Sequence, residues 1–225
     1  MAFLTLDIET MGLMHHLPLP PITCACLYDG TTKHELLFYK IEEDEYNKNA
    51  AELLRLLDSA ERLAGFNAVR FDLPYIAQQL QVTKQRLEGW VAKCIDPYIG
   101  MVTALKQTSK LQRLLDLNHM GSKTGTGSDA IVLARAGKMR ELLDYCMMDV
   151  LLTHELCLMS IDKIRTGETT GLKLLTSTWT WEAVRFEPEK VPTMEEALLL
   201  TSKHNAAESG MGGSDDVEYA SDDAE

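Results

Sequence analysis

The sequence predicts an α/β domain in which a mixed sheet, an antiparallel meander joined to parallel strands, is flanked by helices. Three short apolar segments separated by turn signals occupy the first part of the chain, as is typical of a meander. Farther along, apolar residues recur mostly at helical spacing, with short strand-like segments between the helical ones. This order of strands, followed by alternating helices and strands, is typical of layered α/β folds.

The meander consists of three predicted strands. The first is apolar at its early positions and ends in two acidic residues. A loop with three prolines follows, and the dipeptide Asp29-Gly30 signals a hairpin between the second and third strands. The three strands are predicted over residues 2–9, 22–28 and 33–39.

Helices and two short strands are predicted for the following segments. Pro74 lies in the first turn of one helix, where proline is tolerated, and Ser128 or Asp129 is expected to cap another. The predicted helices span residues 47–60, 72–80, 130–136 and 138–161, with one or two more within 98–117. The two strands are predicted over residues 62–66 and 91–95, the second ending at Asp96-Pro97.

One folded domain with an acidic tail accounts for the 225 residues, a length sufficient to bury a core. We expect the domain to span 1–208, with 161–208 as an extension without a clear pattern, and 209–225 to be a disordered acidic tail. No apolar segment approaches the roughly 20 residues that a membrane span needs. The N-terminus also lacks a signal-peptide pattern. These observations predict a cytoplasmic protein without a membrane partner.

The net charge of −12 argues against nucleic-acid binding only superficially. Six acidic residues and no basic ones lie in the last 16 residues, whereas residues 84–140 are net basic. Such a basic block is able to follow a phosphate backbone, although a solvated helical surface explains each of its residues equally well.

The five cysteines are predicted to be reduced and mostly buried. Their number is odd, and no C-x-x-C pair is present. Cys24 and Cys26 share one face of a strand and are not expected to form a disulfide with each other.

Asp7 and Glu9 form the first candidate site. They are one residue apart, so a strand directs both side chains to the same face. Two adjacent like charges require a shared proton, basic partners or cations, and carboxylate oxygens favour Mg²⁺ or Mn²⁺. Considered alone, the pair is more simply explained as a charged strand end that faces solvent.

Three further residues become candidates through their positions in predicted helices. Asp72 lies where a helix begins, a place where aspartate often acts as an N-cap, although one carboxylate oxygen would still be available to a metal. Tyr145 and Asp149 are four residues apart and therefore lie on the same helical face. A phenol next to a metal-binding carboxylate can orient a water for attack on phosphorus.

Together these segments resemble the motifs of the DEDD 3′–5′ exonucleases, in the tyrosine subclass. Gly65–Tyr75 is similar to the G-[YF]-N-x-x-x-F-D-L-P-Y motif in the proofreading domain of family B DNA polymerases, and Tyr145–Asp149 is similar to their Y-C-x-x-D segment. The resemblance covers residues 3–158. Asp144 stands where the histidine subclass has its histidine, which favours the tyrosine subclass.

This resemblance implies an RNase H-like fold and a site for two divalent ions, Mg²⁺ or Mn²⁺. One ion would lower the pKa of its water and the other would stabilise the leaving 3′-oxyanion. Asp7, Glu9 and Asp149 would surround the first ion, and Asp7 and Asp72 the second. Tyr145 would act on the nucleophilic water. The pocket for the terminal nucleotides would be lined by Thr10, Asn67 and Phe71.

The activity implied is 3′–5′ exonucleolytic hydrolysis of single-stranded or frayed DNA, with release of nucleoside 5′-monophosphates. Because 225 residues do not accommodate a polymerase as well, the chain is expected to act alone or with a separate polymerase, replication or repair protein. Three alternatives stay open: an exoribonuclease, an endonuclease on the same fold, and a catalytically silent module that binds nucleic acid. The presence of all five key residues counts against the silent module.

Four other features have simpler explanations. His15-His16 is expected in an exposed loop, and Asp96 is expected to cap the following helix. The glycine-rich segment 121–127 lacks the phosphate-binding P-loop spacing, and we expect a mobile loop near substrate. Trp179 and Trp181 would share a strand face, where they pack over a core edge or stack on bases.

Overall fold

One mixed sheet lies at the centre of the computed structural model, which describes residues 3–12, 18–100, 109–123, 125 and 127–158. Its five strands are β1 (Leu4–Thr10), β2 (Ile22–Tyr28), β3 (Lys33–Leu37), β4 (Leu63–Ala64) and β5 (Cys94–Ile95). They are arranged in the order β3-β2-β1-β4-β5. The three N-terminal strands pair antiparallel, whereas β4 pairs parallel with both β1 and β5. The predicted meander and the predicted mixed sheet are both confirmed.

Seven helices are present in the described part of the chain. They are α1 (Glu43–Ser59), α2 (Asp72–Gln79), α3 (Lys84–Ala92), α4 (Pro97–Gly100), α5 (Leu111–Leu117), α6 (Gly127–Arg135) and α7 (Met139–Leu158). The longest, α7, packs across β1 and β2. None of the helices in these ranges is long and apolar enough to cross a membrane.

The alternation of side chains along β1 separates two layers. Leu4, Leu6 and Ile8 point into a large core that also contains leucines of α1 and apolar residues of α2 and α3. Asp7 and Glu9 lie on the opposite face, which α7 covers together with residues of α6. The central strand therefore carries its acidic residues toward one particular helix.

Two element predictions were wrong. Residues 84–92 form helix α3, with the Thr83 side chain accepting a hydrogen bond from the Arg86 N–H as its cap. Because Trp90 and Val91 belong to this helix, the strand predicted over 91–95 is only two residues long. Helix α6 begins at Gly127, so Ser128 and Asp129 lie inside its first turn and do not precede it.

Several predictions fall outside the described residues. They concern the extension 161–208, the acidic tail 209–225, the tryptophans Trp179 and Trp181, and the pair His15-His16.

Candidate metal and active site

Asp7 and Glu9 lie side by side on β1, both half-buried. In the antiparallel pairing with β2, Asp7 is opposite Cys26 and Glu9 is opposite Cys24. Directly opposed residues in such a pair direct their side chains to the same face. The two carboxylates and the two thiols therefore form one patch beneath α7.

The Asp72 carboxylate reaches the same strand from the start of α2. Its Oδ1 accepts a hydrogen bond from the Ile8 N–H at 2.9 Å, and Ile8 is the residue between Asp7 and Glu9. Asp72 is 3% exposed. The residue at the N-cap position is Phe71, and no side chain forms a cap hydrogen bond there. The carboxylate thus joins α2 to β1 and does not act as the N-cap.

The turn before α2 is held in place by Asp96. This buried carboxylate accepts hydrogen bonds from the N–H groups of Asn67 (2.9 Å) and Val69 (3.0 Å). It also accepts bonds from the N–H groups of Tyr98 and Ile99 at the start of α4, as a cap does. Asn67 adopts a positive φ of 64°, a conformation that asparagine tolerates better than most residues. Asp96 thereby positions the turn that delivers Asp72.

Helix α7 contributes Tyr145 and Asp149, which are both buried. The Nζ of Lys123 lies 2.5 Å from Asp149 Oδ2 and 5.7 Å from the centre of the Tyr145 ring. Asp149 Oδ1 is buried and has no hydrogen-bond partner within the described residues. The loop before α6 also approaches the tyrosine, because a Cβ added at Gly125 would lie 3.4 Å from Tyr145 Cε2.

Burial raises the pKa of every carboxyl group in this cluster, and repulsion from the other carboxylates adds to the shift at Asp7 and Glu9. Burial is the main cause for Asp7, followed by the charges of Asp72, Glu9 and Asp149. Burial likewise raises the pKa of Glu9 and of Asp149, and raises that of Asp72 to about 7 despite the hydrogen bond from Ile8. The Lys123 ammonium opposes these shifts at Asp7, Glu9 and Asp149.

The four carboxylates fit a site for hard divalent cations. Asp7 and Glu9 offer ligand atoms within 4.8 Å of each other and of Cys146 Sγ. The unpartnered Asp149 Oδ1 is an available oxygen donor, and oxygen donors are the ligands that Mg²⁺ and Mn²⁺ prefer. A cation would relieve the repulsion that raises the pKa values of these groups.

The structure describes all three residues that are expected to bind the terminal nucleotides. Thr10 Oγ1 donates a hydrogen bond to the Gly12 carbonyl at 2.7 Å. The buried Asn67 Oδ1 has no hydrogen-bond partner in the described structure. Phe71 is half-buried, and its ring centre is 5.3 Å from that of Tyr75. Their role toward substrate stays a prediction.

Sequence reasoning missed the contacts of Lys123 and Cys146. Lys123, the single basic residue of the segment 121–127, was expected in a mobile loop near substrate and not next to Asp149. Cys146 follows Tyr145 directly, and its thiol lies 3.6 Å from Asp7 Oδ2. The sequence contains no signal for either contact, since each joins segments far apart in the chain.

Much of the basic block at 84–140 is already engaged in ion pairs. Arg86 pairs with Asp58, Lys138 with Glu141, and Arg140 with both Glu35 and Asp144. These pairs reduce the positive charge that the block presents to a phosphate backbone.

Comparisons with known proteins agree with this fold. Residues 4–159 match a family model described as the RNase H superfamily, which confirms the predicted RNase H-like fold. A family B DNA polymerase from the hyperthermophilic archaeon Pyrobaculum calidifontis is similar in structure, with a TM-score of 0.53 and 16% identity over 69% of this chain. This chain covers 24% of that polymerase, so it spans about a quarter of its length.

RNase D of Trypanosoma brucei matches with a TM-score of 0.45 and 13% identity, over 97% of this chain and 69% of that one. No curated protein matches the chain.

Proposed function

Since the chain belongs to the RNase H superfamily, we propose that it is a metal-dependent 3′–5′ exonuclease of the tyrosine subclass. It hydrolyses phosphodiester bonds at the 3′ end of single-stranded or frayed nucleic acid and releases nucleoside 5′-monophosphates. DNA is the proposed substrate because the motifs around Asp72 and Tyr145 are similar to those of polymerase proofreading domains.

One observation carries this proposal. Four carboxylates from three separate elements converge around the centre of β1, and two of them, Asp72 and Asp149, are almost completely buried. Burying several like charges is costly unless cations or protons compensate them. A site that accumulates this much negative charge on a nuclease fold is well explained by binding divalent metals.

Asp7, Glu9, Asp72 and Asp149 would hold two ions, Mg²⁺ or Mn²⁺. When bound, such ions stabilise the charge that develops on the attacking and leaving oxygens of an in-line displacement at phosphorus. The hydrogen bond from Ile8 fixes one Asp72 oxygen and leaves the other free to act as a ligand.

Tyr145 would orient the attacking water. Burial and the charges of Asp149, Glu9 and Asp7 raise the pKa of its phenol, which therefore stays protonated at neutral pH. A protonated phenol can donate a hydrogen bond to a phosphate oxygen or hold a water by accepting one. Lys123, next to the tyrosine ring and Asp149, would neutralise part of the negative charge of the scissile phosphate.

The decisive experiment uses the full chain and 5′-labelled, single-stranded DNA and RNA of the same sequence. Each oligonucleotide is incubated with Mg²⁺, with Mn²⁺ or with EDTA. We expect products that shorten stepwise from the 3′ end with either metal and no products with EDTA. Asp7→Ala and Asp149→Asn should abolish activity, and Tyr145→Phe should lower the rate by roughly 10²–10⁴-fold.

Asp144→Asn is the matched control, because Asp144 lies on the same helix but is exposed and pairs with Arg140. It should retain full activity. Faster degradation of RNA would support the exoribonuclease, and cleavage of a circular single strand would support the endonuclease. If neither nucleic acid is degraded, the proposal fails, and a gel-shift measurement would then test the binding module.

A further inference from the structure

Three cysteine sulfurs meet directly beneath the carboxylate site. Cys24, Cys26 and Cys146 place their Sγ atoms within 4.8 Å of one another, and all three residues are completely buried. We call these three residues the thiol cluster. The other two cysteines, Cys94 and Cys157, are not part of it.

The cluster is assembled by the register of the sheet and by α7. Cys24 and Cys26 share one face of β2 because they are two residues apart. Helix α7 places Cys146 against the same face, and the Cys146 thiol donates a hydrogen bond to the Asp7 backbone carbonyl at 3.5 Å. Cys26 in turn donates to the Leu143 carbonyl on α7, at 3.7 Å. Two well-packed elements thus hold the three sulfurs without help from a loop.

We propose that the thiol cluster is a binding site for a thiophilic divalent cation of the Zn²⁺ class, next to the carboxylate site for Mg²⁺ or Mn²⁺. Thiolates select Zn²⁺ over the hard cations that carboxylates prefer. At a Zn–S distance of about 2.3 Å, two sulfurs on one tetrahedral ion lie about 3.8 Å apart, which small side-chain rotations achieve from the present spacing. Each thiol that becomes a ligand releases its proton to solvent.

The neighbouring carboxylates complete the donor set. A tetrahedral zinc site needs four ligands, and the cluster supplies three. Asp7 Oδ2 lies 3.6 Å from Cys146 Sγ and is an oxygen donor for the fourth position. The negative charges of Asp7 and Glu9 on the same face of the sheet also attract a cation to this region.

The two sites would share Cys146 and Asp7. A cation on the thiol cluster would move the Cys146 sulfur or engage the Asp7 carboxylate, and Zn²⁺ is therefore expected to inhibit the nuclease. This consequence rests on the proposed function. The binding site itself is tested independently of any activity.

The test is a titration of the reduced, metal-free full chain with Cd²⁺, in excess Mg²⁺, followed by the ultraviolet absorption of thiolate-to-cadmium charge transfer. We expect the band to saturate at one Cd²⁺ per chain. Cys24→Ala and Cys26→Ala should weaken Cd²⁺ binding at least tenfold. Cys94→Ala is the matched control, because Cys94 is a buried thiol outside the cluster, and it should bind Cd²⁺ like the wild type.

A second variant, Asp72→Asn, separates the two sites. It alters the carboxylate site without touching the thiol cluster, so its charge-transfer band should persist. Circular dichroism verifies that each variant is folded, and Cys26→Ser replaces Cys26→Ala if the alanine variant is not. The proposal is overturned if no band forms, or if folded Cys24→Ala and Cys26→Ser bind Cd²⁺ as tightly as the wild type.

Discussion

At the scale of single residues, the site places several carboxylates close together and balances them with one lysine. Asp7 experiences repulsion from three other carboxylates, and Lys123 is the residue whose ammonium offsets part of it. Burial disfavours the charge of Lys123, but the carboxylates of Asp149, Asp7 and Glu9 raise its pKa nonetheless. In the absence of a metal, the Lys123 ammonium therefore compensates part of the negative charge of the carboxylates.

Lys123→Met tests this role. The metal-free variant should lose roughly 1–3 kcal/mol of stability, because buried Asp149 loses its charged partner. Mg²⁺ should then raise the melting temperature of the variant more than that of the wild type, since an ion would replace the missing charge. Thermal unfolding with and without Mg²⁺ measures both effects.

Lys138→Met provides the control, because Lys138 is exposed and pairs with Glu141, three residues farther along the chain. Its melting temperature should equal that of the wild type, both with and without Mg²⁺. A Lys123→Met variant as stable as the wild type without metal would contradict the role assigned to this lysine.

At the scale of elements, the connection from β4 to α2 determines where Asp72 lies. Gly65 follows the strand and packs closely against Ala68 and the Leu6 carbonyl. Asn67 then reverses the chain with a positive φ. Asp96 fixes this turn through two backbone N–H groups and burial raises its pKa to about 6, although its four hydrogen bonds oppose the shift. A short connection under these constraints holds the helix start against β1.

Gly65→Ala should therefore destabilise the protein, whereas Gly89→Ala should not. A Cβ at Gly65 would lie 2.5 Å from Ala68 Cβ and 3.2 Å from the Leu6 carbonyl oxygen, an overlap that costs roughly 1–3 kcal/mol. A Cβ at Gly89 meets no atom within 4 Å, and alanine in helix α3 should add roughly 0.5–1 kcal/mol.

Urea unfolding of both variants measures the difference as a shift of the midpoint at constant slope. The activity of Gly65→Ala should also fall, because the turn positions Asp72. Equal midpoints for the two variants would show that the contact at Gly65 relaxes without cost.

At the scale of the whole molecule, the sheet separates an apolar layer from the layer that contains the site. The large core contains apolar residues of α1, α2 and α3 together with leucines of α5 and α7. The other face combines an apolar cluster with the thiols and carboxylates. Apolar burial on the first face can offset the electrostatic repulsion between the carboxylates on the second face.

The burial of Asp72 predicts a pH-dependent stability of the metal-free protein. The Asp72 pKa rises from its ordinary 3.8 to about 7 on folding, so between these values the folded protein binds more protons than the unfolded chain. Stability is then highest at the acidic side of this window and falls as the pH rises through about 7. The free energy of unfolding should decrease between about pH 5 and about pH 8.

Asp72→Asn should make the free energy of unfolding fall less as the pH rises. In the wild type, Mg²⁺ should restore stability mainly at the alkaline end of the range. Burial lowers the pKa of His154, so this histidine makes the free energy of unfolding rise with pH, opposite to the effect of Asp72. Comparing the wild type with Asp72→Asn separates the contributions of the two groups. Chemical denaturation across the pH range provides the measurement. Identical pH profiles for the wild type and Asp72→Asn would show that Asp72 is not the source.

Local periodicity was sufficient to predict much of this protein from its sequence. The three N-terminal strands, the shared face of Asp7 and Glu9, and the shared face of Tyr145 and Asp149 follow from spacings of two and four residues. Such patterns depend only on backbone geometry within one element. The order of strands and helices also predicted a layered α/β domain, but the patterns missed α3, a helix of nine residues.

Contacts between distant segments were decided by the tertiary structure alone. The Asp72 carboxylate accepts a hydrogen bond from the amide of Ile8, 64 residues earlier, and Lys123 reaches Asp149 from the segment between α5 and α6. The meeting of Cys146 with Cys24 and Cys26 likewise depends on how α7 packs across β2. These contacts depend on loop closure and core packing, which no local spacing encodes, so the residue types in the site were predictable whereas their partners were not.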